Sequence, residues 1–192
     1  MFDIAHGMGS GGDAAARGGC GPTAGYEELH VFDFDGTLVN TPIPEDGMRQ
    51  YYEETGEKWP FQGWWGRAES LAPPLTMDAG PALEEYRASS TRSDVARIMM
   101  TGRRSKLKAS VETVMREFNI SHCHEHIFNG TGHDTLTYKL NELRRLVAVY
   151  KPKRVRIWED RISHAAAFEE FGRREFRHIE WVTTLVEPSN DF

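Results

Sequence analysis

The sequence predicts a doubly wound α/β domain with a mostly parallel sheet and a small insert after the first strand. Three observations carry this. Short apolar, β-prone runs alternate with segments whose apolar residues recur at helical spacing, the pattern of βαβ units. Three of those runs end in polar residues: Asp-Phe-Asp at 33–35, Thr-Gly-Arg at 101–103 and Glu-Asp-Arg at 159–161. In open parallel sheets ligands bind beyond the carboxyl ends of strands, so the three ends can converge on one site. The length, 192 residues, suits one domain with a full hydrophobic core.

Taken in order, residues 1–25 are rich in Gly and Ala with almost no apolar periodicity and read as a flexible tail. The folded domain is expected over 26–192. Leu29–Phe34 is apolar and β-prone, as a buried parallel strand should be. Six prolines interrupt 41–90, which reads as the insert, with a short helix near Asp46–Thr55 and an irregular aromatic stretch, WPFQGWWGRAESLAPP. Residues 93–100 lead through a loop or helix end into a strand, Arg-Ile-Met-Met. Lys106–Phe118 carries Leu107, Val111, Val114, Met115 and Phe118 on one helical face. His126–Phe128 is a short strand. Thr135–Tyr150 is a helix with Thr135 as its cap, stopped by Pro152. Arg154–Trp158 is a strand, Ile162–Phe171 a helix ending at Gly172, and Phe176–Trp181 the last strand.

Composition narrows the function classes. The chain is 39% hydrophobic and 27% charged, ordinary for a globular protein, and has no apolar run long enough to span a membrane. No secretory leader is evident at the N-terminus, and the two cysteines, Cys20 and Cys123, form no disulfide framework. A reducing compartment, cytoplasmic or nuclear, is the expectation. Residues 1–90 hold 5 Lys/Arg against 15 Asp/Glu, and residues 91–192 hold 18 against 14. A uniformly basic nucleic-acid binder is excluded, whereas a local basic face in the second half is not.

Asp33 and Asp35 lie two residues apart at a strand end, where Gly36 lets the backbone turn both toward one pocket. Two close carboxylates repel unless a proton or cation intervenes, and Mg²⁺, a hard cation that takes oxygen ligands, resolves this. One carboxylate can attack phosphorus, and the other can protonate the leaving oxygen and later deprotonate water. Thr101 and Lys139 are candidates to hold phosphoryl oxygens. Asp160 is a candidate third carboxylate for the metal, with Glu159 its partner or its outer support.

This order of signals, Asp-Phe-Asp-Gly-Thr at 33–37, Met-Thr-Gly-Arg at 100–103, Thr-Tyr-Lys at 137–139 and Glu-Asp-Arg at 159–161, resembles the haloacid dehalogenase (HAD) superfamily over roughly residues 29–182. Thr-Gly-Arg followed by the later Glu-Asp-Arg resembles the 3′-phosphatase domain of polynucleotide kinase-phosphatases. The longer pattern, with Gly-Trp-Trp and Ser-Leu in the insert, Thr-Leu-Thr-Tyr-Lys-Leu at 135–140 and Trp-Glu-Asp-Arg followed by His164 and Phe168, resembles the HAD domains of Swiss Army Knife RNA-repair proteins. The resemblance implies a HAD-like Rossmannoid fold and a Mg²⁺-dependent phosphomonoesterase. In it Asp33 is the nucleophile and Asp35 the acid/base, with Thr101 and Lys139 holding the phosphoryl group. It implies Asp33, Asp35 (by its backbone carbonyl) and Asp160 as metal ligands. The implied substrate is a phosphorylated compound such as an RNA or DNA end. A small-molecule phosphatase and a catalytically silent HAD-fold binding protein are the other readings. Glu159 departs from the pattern, where an Asp is common.

Other residues bear two readings each. Gly102, Arg103 and Arg161 suit substrate phosphate, and the two arginines suit internal ion pairs equally. Trp64 and Trp65 suit stacking on a base or, the favoured reading, packing of a lid over the core. The histidine-rich run at 122–126 lacks the second ligand cluster a zinc site needs and reads as a loop before a strand. His164 suits support of the metal site or a surface cap. Oligomeric state leaves no signature.

Overall fold

The computed structural model describes residues 25–121, 123–131 and 133–187. The expected N-terminal tail therefore lies almost wholly outside the described residues. Five strands form one parallel sheet: β1 (Glu28–Phe32), β4 (Val95–Arg104), β5 (Glu125–Asn129), β6 (Arg154–Glu159) and β7 (Glu180–Leu185), in the spatial order β5-β4-β1-β6-β7. The chain leaves β1 toward β4 and β5, then crosses back to β6 and β7. The strand order reverses beside β1, and a crevice opens at such a switch point.

Strand alternation explains the layers. Leu29 and Val31, Ala96, Ile98 and Met100, and Val155 and Ile157 point to one face. There they meet Leu143, Leu146 and Val147 of α4 (Thr135–Tyr150), and Phe168 and Phe171 of α5 (Ile162–Glu175). Phe32, Met99 and Trp158 point to the other face, with Phe32 stacked on Trp158 at 4.4 Å between ring centroids. That face is covered by Leu83 and Tyr86 of α2 (Leu83–Ser90), and by Val111, Val114 and Met115 of α3 (Lys108–Glu117). β1 is buried at all five positions, as a central strand covered on both faces should be. Each such aliphatic side chain contributes about 1.5–3 kcal/mol by leaving water.

The insert begins with β2 (Val39–Asn40) and closes with β3 (Asp78–Ala79), an antiparallel pair. Between them lie α1 (Pro44–Thr55) and an irregular aromatic stretch with one 3₁₀ turn at Glu69–Leu71. Pro44 opens α1 and Gly56, left-handed at φ 74°, closes it. α2, within the segment expected as insert, packs on β4 and belongs to the main layer.

Three local expectations are corrected. The cap of α4 is Asp134, whose side chain accepts from the Thr137 N–H at 3.0 Å; Thr135 is already helical. α5 does not stop at Gly172 but runs on to Glu175. Gly172 is there for close packing: a Cβ would stand 2.2 Å from the Trp181 ring. The last strand is Glu180–Leu185, later than Phe176–Trp181. Phe176 precedes the strand and lies flat on Trp181 at 5.5 Å, so its apolar character reports packing rather than pairing. Among the described residues no helix is long and apolar enough to cross a membrane.

Candidate active site

The site is assembled where β1, β4 and β6 end. Asp33 continues β1 by one residue, its N–H donating to Trp158 O at 3.0 Å. The chain then turns tightly, with the Phe34 carbonyl accepting from the N–H groups of Leu38 and Val39. Gly36 makes the turn at φ 69°, and any Cβ there would meet Asp160 Oδ2 at 2.6 Å. The turn returns Asp35 to the cleft, where Thr41 Oγ1 donates to its Oδ1 at 2.7 Å.

Lys139, in the second turn of α4, is almost wholly buried. Its Nζ donates to Asp33 Oδ1 at 2.5 Å and to Glu159 Oε2 at 2.7 Å. Asp33, Glu159 and Asp160 place ligand oxygens within 4.8 Å of one another. Three carboxylates thus face one ammonium. Burial, then the neighbouring acids, pushes Asp33 well up against the pull of Lys139. Burial and Glu159 push Asp160 up to about 7. Burial works against the charges on Lys139 and Glu159 too. Asp33, then Glu159, outweighs it on Lys139 and raises the ammonium, and Lys139, then His164, outweighs it on Glu159 and holds the carboxyl at about 2. The site is short of positive charge. An all-oxygen carboxylate set of this size fits a hard divalent cation. Glu159, expected as partner or outer support, stands within the cluster itself, and His164 Nδ1 lies 3.7 Å behind its Oε1.

A cleft of about 400 Å³ opens on this cluster. Asp33, Asp35, Gly102, Arg103, Lys139, Asp160 and Arg161 all line it, so seven of the nine residues expected to bind metal or substrate or to act in catalysis meet there. Thr101 is fully buried and is not among the lining residues; its Oγ1 accepts from the Arg103 N–H at 3.1 Å. Arg103 takes the internal-pair reading. Its Nε and Nη2 hold Asp35 at 2.7–3.0 Å, and its Nη1 donates to Ser70 Oγ at 3.0 Å. The Arg161 N–H donates to Glu159 Oε1 at 3.3 Å. The two tryptophans part company. Trp64 is buried with Nε1 on the Pro42 carbonyl at 3.0 Å, whereas Trp65 is 39% exposed and lines the cleft.

Several contributors were given no site role from the sequence. Thr41 and Ser70, which hold Asp35 and Arg103, carry no local chemical signal. Ile43 and Arg104 line the cleft, and only Arg104 had a cue, as the second arginine of Thr-Gly-Arg-Arg. In the histidine-rich run, His122 lies outside the described residues. His124 Nδ1 accepts from the Arg97 N–H, and His126 pairs with Glu112 at 3.0 Å.

Residues 80–190 match the sequence profile of HAD domain family 1 in Swiss Army Knife RNA repair proteins. The chain belongs to this HAD family. The match begins downstream of Asp33 and Asp35, whose assignment rests on the motif and the geometry. The HAD relationship supports hydrolase chemistry of the phosphatase type. An uncharacterized protein of Saccharomyces cerevisiae is 26% identical over 195 aligned residues, covering 87% of this chain. The chain spans 42% of that relative's length. Among solved structures, the HAD domain of the effector protein Lem4 from Legionella pneumophila matches with a TM-score of 0.53 at 11% identity, covering 87% of this chain and 90% of that one. A HAD-superfamily hydrolase from Ehrlichia chaffeensis matches with a TM-score of 0.51 at 12% identity, covering 81% and 85%. These two likenesses bear on the fold alone.

Proposed function

We propose that this HAD domain is a Mg²⁺-dependent phosphomonoesterase that removes terminal phosphates from RNA or DNA through an aspartyl-phosphate on Asp33. The observation that carries the reading is the buried cluster of Asp33, Glu159 and Asp160 around Lys139, open to a cleft whose other wall holds Asp35 in the grip of Arg103.

Asp33 attacks phosphorus while the bond from phosphorus to the leaving oxygen breaks. Asp35, placed by Arg103 and Thr41, delivers a proton to that oxygen. A water then attacks the phosphoryl group, Asp35 takes its proton, and inorganic phosphate leaves with Asp33 restored. Lys139 keeps two carboxylates close enough for one of them to be aimed at phosphorus. Asp33, Asp160 and Glu159 are the side chains that would hold Mg²⁺, with the Asp35 carbonyl as the ligand expected from the motif. When bound, the ion neutralises the excess carboxylate charge and the charge on the phosphoryl oxygens. A nucleic-acid end is supported by the family to which the chain belongs and by Arg104 and Arg161 lining the same cleft.

The test is phosphate release from 3′- and 5′-phosphorylated RNA and DNA oligomers, nucleotides, sugar phosphates and an aryl phosphate. Each is assayed with Mg²⁺, with a chelator, and with Asp33→Asn. Metal-dependent release from one kind of oligomer end, lost in the variant, is expected. Release from small phosphates alone removes the nucleic-acid substrate and keeps the phosphatase. No release from any substrate leaves a HAD-fold binding protein.

A further inference from the structure

We propose that the exposed face of Trp65 is a stacking platform for the nucleobase next to the phosphate being removed. This deepens the reading above and rests on it. The neighbouring indole fixes the platform: Trp64 is buried, donates to the Pro42 carbonyl at 3.0 Å, and sits so close to Gly47 that a Cβ there would stand 2.0 Å from its ring. Trp65 follows directly on that anchor. The Arg103 guanidinium lies 5.3 Å from the Trp65 ring centroid, and Nη1 reaches toward the Trp65 carbonyl at 3.5 Å.

Arg103 is itself buried, 3% exposed and hydrogen-bonded to Asp35 and Ser70. The indole is thus backed by a cation held by other partners, while 39% of the residue stays open to water in the cleft that Asp33 and Asp160 line. A large aromatic left open in a cleft lined by the reacting groups suits a flat ligand ring. Ile43, 49% exposed, lines the same cleft and adds an apolar contact. Arg104 and Arg161 supply charge for a further phosphate along the strand. Ring and second phosphate together describe an oligonucleotide end better than a sugar phosphate.

The experiment compares Trp65→Ala and Trp65→Phe with wild type on a phosphorylated oligoribonucleotide and on glycerol phosphate, with Mg²⁺. In Trp65→Ala the ratio of the two kcat/KM values is expected to shift by about tenfold against the oligonucleotide, since stacking is lost for one substrate only. Trp65→Phe should keep a larger share of the ratio. An equal fall on both substrates overturns the platform and leaves Trp65 as packing of the insert. Binding provides a readout that does not need turnover. A fluorescein-labelled phosphorylated oligonucleotide is titrated onto Asp33→Asn with and without Trp65→Ala. Weaker binding by about tenfold supports the platform even if no substrate is hydrolysed; unchanged binding overturns it.

Discussion

Arg103 grips Asp35 through both carboxylate oxygens, across 68 residues of sequence, with Nε and Nη2 at 2.7–3.0 Å. The same guanidinium holds Ser70 and underlies Trp65, so one buried cation joins the end of β4, the loop after β1 and the insert. Arg103→Lys keeps a charge but loses the fork that fits a carboxylate. Charge-assisted hydrogen bonds of this kind are worth about 1.5–3 kcal/mol, so kcat should fall by roughly tenfold to a hundredfold. Steady-state kinetics check this, and a change in KM alone would contradict the positioning role.

Lys139 is the one buried cation shared by Asp33 and Glu159. Lys139→Met keeps volume but strands two buried carboxylates. Breaking a buried pair this way costs about 3–5 kcal/mol, on the order of 6–20 °C in Tm for a chain of this size. Thermal unfolding measures it. Added Mg²⁺ should recover part of the loss, because it supplies the missing positive charge.

The wild-type cluster, with three carboxylates against one ammonium, should itself be stabilised by Mg²⁺. A ligand that binds the folded chain alone raises Tm with concentration. The expected result is a Tm that climbs with Mg²⁺, falls back with chelator, and climbs less in Asp160→Asn. A Tm indifferent to Mg²⁺ in all of these would remove the metal from the site.

Gly36→Ala tests the turn. At φ 69° a side chain costs about 1–2 kcal/mol, and the new Cβ would lie 2.6 Å from Asp160 Oδ2. Activity should fall by more than the stability loss implies, because the displaced group belongs to the carboxylate cluster. Parallel measurement of kcat and of the urea midpoint separates the two effects.

Acid sensitivity should come in part from the far end of the sheet. Burial works against the Glu28 charge, but the hydrogen bonds from His30 and Arg92 outweigh it and hold its pKa at about 2, against an ordinary 4.5. Burial also depresses His30 below its ordinary 6.5, with Glu28 opposing. Both groups bind protons more readily in the unfolded chain, so their stabilisation is complete above pH 6.5. It is lost first as pH falls below 6.5 and further between 4.5 and 2. Urea midpoints across this range check the sign, and Glu28→Gln should flatten the lower part.

Sequence alone determined the parts of this protein that depend on neighbours along the chain. Short apolar, β-prone runs marked β1 and β6, and helical spacing marked α4, to within a residue or two. A glycine following two acids at a strand end marked Asp33 and Asp35. Order along the chain identified Lys139 and Asp160 as companions. Tertiary structure alone decided which charges pair and which aromatics face water. The contacts joining Lys139 to Asp33 and Arg103 to Asp35 span 106 and 68 residues, and no local spacing encodes them. Trp64 and Trp65 are identical in kind and adjacent, yet one is buried and the other open, because Gly47 makes room for the first. Gly172 reads as a helix stop, yet serves as a seat for Trp181. Local propensity acts over a few residues. Burial and ion pairing are settled only when distant segments compete for the same space and the same charge.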